Sequence, residues 1–593
     1  MPERRDWPVS ITPEDLPLQR VYRWERERAD RVFLTQPFGR GQLRQWTWAQ
    51  AVDEARRVAA YLEAQHWEAG SRVAILSRNC AWWIMADLAI WMSGHLSVPI
   101  YPSLRGPSIR RILEHSGARA CFLGATDGDE AAEACGSAGV AAIALPNAAG
   151  STEPSWNALI EANRPIPGSP TREADDLATI IYTSGTTGTP KGVMHRFGSF
   201  AFDAKVLIGL LGAAKPQRVL SYLPLAHIVE RAGVEATAYL LGSHLFFTEG
   251  IETFLEDLQR ARPTIFLSVP RLLVKFQQGV FAKVPKEKLE KLLRIPGLNL
   301  YVKCMILRRL GLNTVQHAAC GAAPLPPEIL LWYRDLGLQL GEGYGMTETM
   351  ITHLPRPDAV RPGYVGPALP GVETRVSDQG ELLVRSPMNM FGYYREPQMT
   401  RDAFTEDGFF RTGDLVTIDP DGQLKIIGRI KEQFKTSKGK YITPAPIEAR
   451  LMEHPAVEAC CLMGSGQPSP FAIVVFSEEA RADCIDPEVR RVTEESLRAR
   501  MEAVNVDVEP FERVSMIVIA DGPWTIHNGL MTPTLKIKRG AVESRYEHLI
   551  EAWRRQDAPV VWESVPGSAA EPYIVDAAAE NSIWQTDVPP SET

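Results

Sequence analysis

Residues 181–195 read IYTSGTTGTPKGVMH. β-Forming residues lead into a run of Ser, Thr and Gly that is closed by Pro190 and Lys191. Glycine lets the backbone approach an anion, hydroxyl and amide groups donate hydrogen bonds to its oxygens, and a lysine supplies the countercharge. The stretch therefore predicts a strand and a phosphate-binding loop; the alternative is a solvated loop without a ligand. It is not a Walker A loop, because that motif has Gly directly before the lysine and Ser or Thr directly after it.

The length, charge and cysteine pattern restrict the class of protein. With 593 residues the chain is too long for one hydrophobic core, so we expect two or more domains. A formal net charge of -8 argues against a nucleic-acid binder, whose binding domain is usually basic. The eight cysteines have no C-x-x-C or Cys/His spacing, which predicts neither a zinc site nor a disulfide framework and fits a reducing cytosol.

The most membrane-like stretch is CAWWIMADLAIWMSGHLSVPIYPSL, residues 80–104. Asp87, His95 and Pro99 interrupt it well short of the roughly 20 apolar residues that a membrane span needs. We predict a buried helix that ends near Gly94, then a short strand, and no transmembrane segment. The N-terminal residues also lack the apolar run of a secretory signal. We therefore expect a cytoplasmic protein; peripheral contact with the inner face of a membrane stays open.

Short β-rich runs alternate with amphipathic helical patterns through most of the chain. This alternation predicts an α/β architecture with mostly parallel sheets. The predicted strands are RVAIL (72–76), LSVPIY (96–101), ARACFLG (118–124), TIIYTS (179–184), VLSYLPL (219–225), SHLFFTE (243–249) and PTIFLSVP (263–270).

The pattern of predicted secondary structure changes after residue 360. Between 361 and 430, short strands and D-G turns predict a small β-rich subdomain. We expect a large domain, 1–430, of stacked, mostly parallel sheets with helices and this subdomain, followed by a small, mobile α/β domain, 431–557. Residues 558–593 are acidic and rich in Ala and Pro, which predicts a loosely ordered tail.

The segment GEGYGMTET (341–349) carries groups suited to a nucleotide. Tyr344 can stack on a purine ring, and Thr347 can donate to a phosphate. The carboxylate of Glu348 provides the oxygen ligands that Mg²⁺ prefers. Tyr344 would alternatively be an ordinary core residue.

Two later segments add to this set. RTGDL (411–415) places Asp414 where a carboxylate can accept both hydroxyls of a ribose, and GRIKEQFKTSKGKY (428–441) adds Arg429. The run 425–440 has six basic residues and one acidic residue. It is either a solvated face or a source of countercharge for a polyanionic ligand at the predicted domain junction.

In order and spacing these segments resemble the signature motifs of the adenylate-forming superfamily: acyl-CoA synthetases, luciferases and the adenylation domains of peptide synthetases. SYLPLAHIVER (221–231) and NGLMTPTLKIKR (528–539) are most similar to long-chain fatty acyl-CoA synthetases. The resemblance covers roughly residues 40–545. It implies that a carboxylate attacks the α-phosphate of ATP to give acyl-AMP and pyrophosphate, and that a thiol, usually CoA, then displaces AMP, with Mg²⁺ present.

The resemblance also implies roles for individual residues around the nucleotide. The loop over the β- and γ-phosphates would consist of Thr183, Ser184, Gly185, Thr186, Thr187, Gly188 and Lys191. Tyr344, with Gly345 beside it, would lie against adenine, Thr347 near the α-phosphate and Glu348 on Mg²⁺.

Further roles follow from the same resemblance. Asp414 and Arg429 would hold the ribose. Lys536 would bridge the carboxylate and the α-phosphate during adenylation, and a mobile small domain suits a lysine that must leave before the thiol enters. The alternatives are that Lys536 is a surface lysine or that its neighbour Lys538 has this role. Lys431 occupies the family's hinge position.

Near the acyl group, His227 matches the family residue beside the carboxylate, although a lone histidine is usually a satisfied core residue. Glu230 and Arg231, which follow it, would equally be a local ion pair. Lys438 replaces a glycine found in many relatives, and Gly439 still allows a pantetheine chain to pass close to the backbone.

The identity of the acid is the least determined feature. The resemblance puts the small residues Gly321, Ala322 and Ala323 at the acyl pocket, where they would leave room for a chain. Each buried methylene contributes about 0.8 kcal/mol, so we expect a medium- to long-chain fatty acid.

Two alternatives remain to the hypothesis that the protein makes acyl-CoA from a fatty acid, ATP and CoA. One is a fatty acyl-AMP ligase that delivers the acyl group to a carrier protein. The other is a non-catalytic paralogue that only binds acyl-nucleotides. The presence of Lys191, Glu348 and Lys536 argues against this second alternative.

Overall fold

The computed structural model describes residues 9–39, 41–150, 154–184, 190–250, 252–532 and 535–564. The chain divides into two compact units, with the boundary between Ile430 and Lys431. No helix within these described ranges has both the length and the apolar composition needed to cross a bilayer.

The first unit alternates strands and helices. Its strands are β1 (Val32–Pro37), β2 (Leu43–Thr47), β3 (Arg72–Leu76), β4 (Leu96–Ile100), β5 (Ala120–Leu123), β6 (Ala141–Ala144), β7 (Leu177–Ser184), β8 (Pro190–Arg196), β9 (Arg218–Ser221), β10 (His244–Phe247), β11 (Ile265–Ser268), β12 (His317–Cys320), β13 (Leu340–Glu342), β14 (Tyr344–Met346), β15 (Met350–His353), β16 (Glu373–Val376), β17 (Glu381–Arg385), β18 (Gly392–Tyr393), β19 (Phe410–Ile418) and β20 (Leu424–Arg429). Its α-helices are α1 (Pro17–Glu27), α2 (Trp48–Glu63), α3 (Ala81–Met92), α4 (Gly106–Ser116), α5 (Ala131–Ser137), α6 (Trp156–Ala162), α7 (Phe197–Leu211), α8 (Thr237–Leu241), α9 (Phe254–Ala261), α10 (Pro270–Lys283), α11 (Lys286–Leu293), α12 (Leu298–Arg309), α13 (Pro327–Leu336) and α14 (Pro397–Asp402).

The first seven-stranded sheet has the order β13-β12-β11-β9-β10-β1-β2. It is parallel except for the edge pair β1 and β2. Cys320 at the end of β12 lies opposite both Ser268 of β11 and Glu342 of β13. The loops after these three strands therefore leave from one edge, and in open α/β sheets ligands bind outside the carboxyl ends of the strands.

The second seven-stranded sheet has the order β18-β8-β7-β4-β3-β5-β6. Strands β7, β4, β3, β5 and β6 are parallel, whereas β8 and β18 run antiparallel to their neighbours. Thr183 on β7 lies opposite Lys191 on β8, and Val193 lies opposite Tyr393 on β18. This register brings Lys191 and Tyr393 close together.

A smaller antiparallel sheet, β16-β17-β19-β20, supplies the predicted β-rich subdomain. Within it Asp414 on β19 lies opposite Arg429 on β20. The hairpin of β14 and β15 follows β13 and carries Tyr344. Its turn holds Thr347 and Glu348, so one short stretch brings several of the predicted nucleotide residues to the same edge.

The local sequence accounts for the helices around these sheets. Thr47 accepts a hydrogen bond from the Gln50 amide while the Gln50 side chain accepts one from the Thr47 amide, a capping box that starts α2. Helix α3 has one charged residue, Asp87, in an otherwise apolar sequence, and every residue in it is buried, as expected for a core helix. The helix and strand predicted between residues 80 and 101 are thereby confirmed.

The second unit is a smaller α/β body. Its strands are β21 (Phe434–Lys435), β22 (Tyr441–Ile442), β23 (Val457–Met463), β24 (Phe471–Phe476), β25 (Ile517–Ile519) and β26 (Val560–Trp562). Its α-helices are α15 (Pro444–Leu451), α16 (Glu478–Asp483), α17 (Pro487–Val506), α18 (Arg539–Tyr546) and α19 (Ile550–Arg555). The main sheet has the order β23-β24-β25-β26, with β23 antiparallel. The predicted α/β fold class is confirmed in both units.

The predicted start of the loosely ordered tail, residue 558, is too early in the chain. Val560–Trp562 form β26, which pairs in parallel with β25, and the indole nitrogen of Trp562 donates to Glu494 at 2.5 Å. The prediction weighted the acidic and Ala/Pro composition of the whole segment and so overlooked three β-forming residues that complete a sheet edge. Residues 565–593 lie outside the described ranges.

Candidate active site

The loops after β12 and β13 meet closely at the sheet edge. The Gly343 amide donates to the Cys320 carbonyl at 2.8 Å. A Cβ added at Gly321 would lie 3.2 Å from the Gly343 carbonyl oxygen, and one at Gly345 would lie 2.1 Å from that of Met350. These contacts explain the glycines of both predicted motifs by backbone packing and keep Tyr344 at the edge of the sheet.

Tyr344 is linked to the predicted ribose residues. Its hydroxyl donates to Oδ2 of Asp414 at 2.6 Å, and Nε of Arg429 lies 2.8 Å from Oδ1 of the same carboxylate. Burial and the charge of Asp414 raise the pKa of Tyr344 well above its ordinary value. Asp414 itself is only 3% exposed.

Glu348 and Lys191 lie on either side of Tyr393. The Tyr393 hydroxyl donates to Oε1 of Glu348 at 2.9 Å, and Nζ of Lys191 lies 5.4 Å from the centre of the Tyr393 ring. Burial raises the pKa of Glu348, and the Tyr393 hydrogen bond and the charges of Arg429 and Lys191 oppose that rise. The predicted metal ligand and the predicted phosphate lysine are therefore neighbours.

Thr347 is anchored through its backbone. Nε2 of His195 donates to the Thr347 carbonyl at 2.6 Å. His195 is fully buried, and burial lowers its pKa to about 4, so the ring is neutral at pH 7 and the Nε2 proton makes this bond. This hydrogen bond therefore fixes the turn that carries Thr347 and Glu348 against β8, the strand that also carries Lys191.

His227 has a defined orientation. The Val229 amide donates to its Nδ1 at 3.2 Å, so in the neutral ring Nε2 carries the proton. The ring is half-buried. In this tautomer Nε2–H is the donor of the ring, and a carboxylate accepts from such a group.

The alternative ion pair of Glu230 and Arg231 is wrong. Arg231 instead pairs with Asp87 at 2.8 Å and with Glu235 at 3.1 Å. Consecutive residues on a helical turn do not face each other, so the two side chains diverge at the start of the π-helix Glu230–Ala236. Glu230 is fully buried, and burial raises its pKa to about 8.

A cavity opens beside Tyr344. Gly321, Ala322 and Gly345 line it at this end. Many of the other lining residues are aliphatic: Leu207, Ile208 and Leu211 of α7, Ile228 and Val229, Ile265 and Leu267 of β11, and Met350, Ile351 and Leu354. The polar residues Thr237, Ser268, His317 and Gln339 also line it. Ala323 does not line the cavity, although Gly321 and Ala322 do. The space thus joins a backbone-rich end next to the tyrosine to an apolar interior.

Four of the predicted residues, Lys438, Gly439, Lys536 and Lys538, belong to the second unit. Lys536 is exposed; its amide donates to Oγ1 of Thr532 at 3.0 Å, and its carbonyl accepts from the Thr532 amide at 2.8 Å. Lys538 follows it and is also exposed. Lys438 and Gly439 form the tip of the β21–β22 hairpin, where Gly439 has φ +78°.

The core of the predicted phosphate loop cannot be placed. Gly185, Thr186, Thr187 and Gly188 lie outside the described residues, as does the side chain of Ser184. Thr183 and Lys191, at the two ends of the loop, face each other across β7 and β8.

A magnesium ion fits this site only together with a bound nucleotide that supplies further oxygen ligands. Within the described ranges no group of three or more His, Cys, Asp or Glu side chains is arranged to hold a metal. Glu348 offers buried carboxylate oxygens, the donor type that Mg²⁺ prefers, and this ion usually binds through one or two carboxylates together with phosphates and water. The donor set is consistent with a metal–nucleotide complex rather than a resident ion.

Sequence reasoning missed His195 and Tyr393. His195 ends the stretch quoted first, so the signal was an unexplained histidine at its last position. Tyr393 had no local signal, because it reaches Glu348 only through the pairing of β18 with β8.

Comparison with known proteins agrees with this geometry. Residues 21–394 match the family described as AMP-binding enzyme, and residues 431–557 match the AMP-binding enzyme C-terminal domain. A long-chain-fatty-acid–CoA ligase of Mycobacterium bovis, FadD15, is 31% identical over 597 residues, covering 92% of this chain and 98% of the relative. The peroxisomal long chain acyl-CoA synthetase 7 of Arabidopsis thaliana is 30% identical, covering 86% of this chain and 81% of the relative.

A solved structure has the same fold. The adenylation domain of a carboxylate reductase from Mycobacterium chelonae superposes with a TM-score of 0.73 at 23% identity, with 91% of each chain covered. The resemblance of the fold to an adenylation domain is thereby confirmed in three dimensions.

Proposed function

This chain belongs to the AMP-binding enzyme family, and from that premise we propose that it is an AMP-forming fatty acid–CoA ligase. A medium- to long-chain fatty acid attacks the α-phosphate of ATP to give acyl-AMP and pyrophosphate. The thiol of CoA then displaces AMP to give acyl-CoA. The names of the relatives, long-chain-fatty-acid–CoA ligase and long chain acyl-CoA synthetase, support this substrate class.

The cavity is the observation that carries the proposal. Its lining changes from glycine and alanine backbone beside Tyr344 to aliphatic side chains of α7 and β11. Ligand pockets typically combine apolar walls with a few placed polar groups. A nucleotide at the Tyr344 end and an alkyl chain in the apolar interior would bring a carboxylate and an α-phosphate together.

On the nucleotide side, Tyr344 lies against adenine, and Asp414 accepts from the ribose hydroxyls while Arg429 holds it in place. Lys191 and the hydroxyl-rich loop before it neutralise the phosphates. Mg²⁺ bound through Glu348 would supply Lewis-acid stabilisation of the phosphate charge. Because two anions must approach each other, positioning and charge neutralisation account for most of the catalysis.

On the acyl side, the Nε2 proton of His227 orients the carboxylate of the fatty acid. Thr347, fixed by His195, lies near the α-phosphate. Lys536 is the proposed cation for the first half-reaction, and its exposed ammonium suits a group that must also leave. Lys438 and Gly439 are proposed to border the route of the pantetheine chain.

Two rivals make different predictions about the acceptor. A fatty acyl-AMP ligase would form acyl-AMP and transfer it to a carrier protein, not to CoA. A binding paralogue would turn over neither ATP nor acid. Neither is better supported than the ligase.

The test is a panel of carboxylic acids of graded length, assayed for pyrophosphate and for thioester, with and without CoA. We expect pyrophosphate release that rises with chain length and acyl-CoA formation that requires CoA. Pyrophosphate without any thioester would favour the carrier-protein rival. No pyrophosphate with any acid would exclude the proposed function.

A further inference from the structure

A strongly basic segment lies in the first unit of an otherwise acidic protein. Residues 283–309, here called the basic hairpin, comprise the last residue of α10, a two-residue linker, α11, the turn after it and α12. Its basic residues are Lys283, Lys286, Lys288, Lys291, Arg294, Lys303, Arg308 and Arg309, and its acidic residues are Glu287 and Glu290. The whole chain has a formal net charge of -8, so the hairpin is a local reversal of sign.

One face of the basic hairpin is anchored to the fold. Leu289, Val302 and Ile306 are buried in the apolar cluster that also contains Leu330 and Tyr333 of α13. The two helices also pack on each other. This packing holds the hairpin in place on the first unit.

The opposite face exposes large apolar side chains at the tip. Within seven residues Ile295 is 47% exposed, Leu298 37%, Leu300 71% and Tyr301 67%. Scattered single apolar residues are normal on a protein surface, whereas a cluster ringed by polar groups marks an interaction site. A merely solvated basic face would not need this tip.

The cations around the tip are available to an external anion. Lys286, Lys288, Lys291 and Arg294 are exposed. Of the hairpin's basic residues, Lys303 is the one with an ion pair inside the described part of the chain, to Asp335 at 2.8 Å. The stems of lysine and arginine can lie along apolar groups while their charged ends reach phosphates.

We propose that the basic hairpin docks this protein on an anionic lipid bilayer, with Ile295, Leu298, Leu300 and Tyr301 inserted at the interface and the lysines on the headgroup phosphates. Apolar residues on one side and Lys/Arg beside them are the pattern of interfacial helices. Cations near an anionic leaflet add to the attraction. Leu300 and Tyr301 are 71% and 67% exposed, and apolar side chains this exposed suit a fluid bilayer better than a shape-matched protein groove.

The test is cosedimentation of the full chain with phosphatidylcholine vesicles, with and without phosphatidylglycerol, in the absence of ATP and acid. We expect binding only to the anionic vesicles and weakening by salt. The triple variant Lys286→Gln, Lys288→Gln, Lys291→Gln should bind about a hundredfold more weakly, from roughly fivefold per cation. The pair Leu300→Ser, Tyr301→Ser should also bind more weakly, by about tenfold or more.

Matched controls exist on α17 and beside it. Arg490→Gln, Arg491→Gln and Arg498→Gln remove the same charge from exposed helix positions. Ile485→Ser with Val506→Ser removes equally exposed apolar groups, 82% and 78% exposed. Both controls should bind vesicles as the unaltered chain does, and thermal melts establish that all variants fold.

Several outcomes would overturn the proposal: no binding to anionic vesicles, equal binding to neutral ones, or equal loss in the hairpin and control variants. The proposal would also be overturned if light scattering showed a dimer of the unaltered chain and a monomer of the Leu300→Ser, Tyr301→Ser variant, because the tip would then bind a second copy. Pyrophosphate release from acid dispersed in detergent, measured on the same samples, tests the proposed ligase activity separately.

Discussion

The hydroxyl of Tyr344 donates a 2.6 Å hydrogen bond to Oδ2 of Asp414, which lies 70 residues further along the chain. The bond joins the hairpin after β13 to the small antiparallel sheet, so the aromatic platform and the carboxylate are positioned by each other. Arg429 completes the arrangement from the opposite strand. The proposed adenine and ribose contacts therefore depend on one hydrogen bond between separate elements.

Removing that hydroxyl should loosen the nucleotide site. Tyr344→Phe keeps the ring but leaves a buried acceptor of Asp414 without its donor, which costs about 1–3 kcal/mol. We expect KM for ATP to rise by about tenfold and the melting temperature to fall. Tyr333→Phe is the matched control, because that buried hydroxyl donates to the Leu273 carbonyl and does not line the cavity. A change in KM in both variants, or in neither, would contradict the assigned role.

The Tyr393 hydroxyl should control the ionisation of Glu348. Its hydrogen bond lowers the pKa of Glu348 against the larger effect of burial. Tyr393→Phe removes that bond, so the pKa rises further and the ionised carboxylate is lost at a higher pH. The acidic limb of the pH profile for pyrophosphate release should move to higher pH. An unmoved limb would show that Glu348 does not titrate in the catalytic range.

Lys536 and its neighbour Lys538 can be separated by half-reaction. Lys536→Ala should reduce acyl-AMP formation by ~10²–10³, the scale for loss of one preorganised charged donor, and largely spare thioester formation from supplied acyl-AMP. Lys538→Ala should leave both steps close to normal. The opposite result would move the role to Lys538. Equal loss of both half-reactions in Lys536→Ala would remove it from the mechanism.

The apolar part of the cavity should set chain length. Gly233 lines it, and an added Cβ would lie 2.7 Å from Cδ1 of Leu267. Gly233→Val should therefore reduce kcat/KM for long acids by about tenfold or more and affect short acids less, since fewer methylenes can be buried. Gly209→Val, also in a helix but with nothing within 4 Å of the added Cβ, is the control. A uniform loss across chain lengths would place the acyl group elsewhere.

Asp203 should make stability depend on pH. It is fully buried on α7, and burial raises its pKa to about 8. In the unfolded chain it ionises near pH 4, so between about pH 4 and pH 8 only the unfolded state releases the proton, and stability falls as pH rises. Asp203→Asn lacks this dependence. At pH 7.5 it should melt at a higher temperature than the unaltered chain, and its free energy of unfolding should be larger by a few kcal/mol at most (about 1.4 kcal/mol per pKa unit).

The pH series provides the control for this prediction. The advantage of Asp203→Asn should shrink steadily toward pH 5, where the unaltered chain regains stability. Asp358→Asn, whose side chain is 77% exposed, should show no such trend. A constant difference at all pH values would mean that Asp203 is ionised in the folded protein.

The alternating pattern was sufficient to predict the α/β fold and seven strands of the first unit, because these buried strands are apolar runs with turn signals on both sides. The burial of α3 was likewise predictable from its composition. The short β26 was not, since three residues within an acidic, Ala/Pro-rich segment carry little local signal and become a strand only by pairing with β25.

For the site, motifs predicted which residues have suitable chemistry but not what holds them. Tyr393 reaches Glu348 through strand pairing, and Arg231 reaches Asp87 across 144 residues. Such contacts depend on tertiary structure and cannot be read from neighbouring residues. The residue pair that looked like an ion pair in the sequence, Glu230 and Arg231, diverges because consecutive residues on a helical turn do not face each other.

The account rests on one pocket that holds both ATP and a fatty acid. Exchange of labelled pyrophosphate into ATP measures the first half-reaction directly, because it requires reversible formation of acyl-AMP and needs no CoA. We predict exchange that depends on a medium- or long-chain fatty acid and that Tyr344→Phe weakens at low ATP. Exchange that is absent with every acid, or that proceeds equally without any acid, would contradict the account.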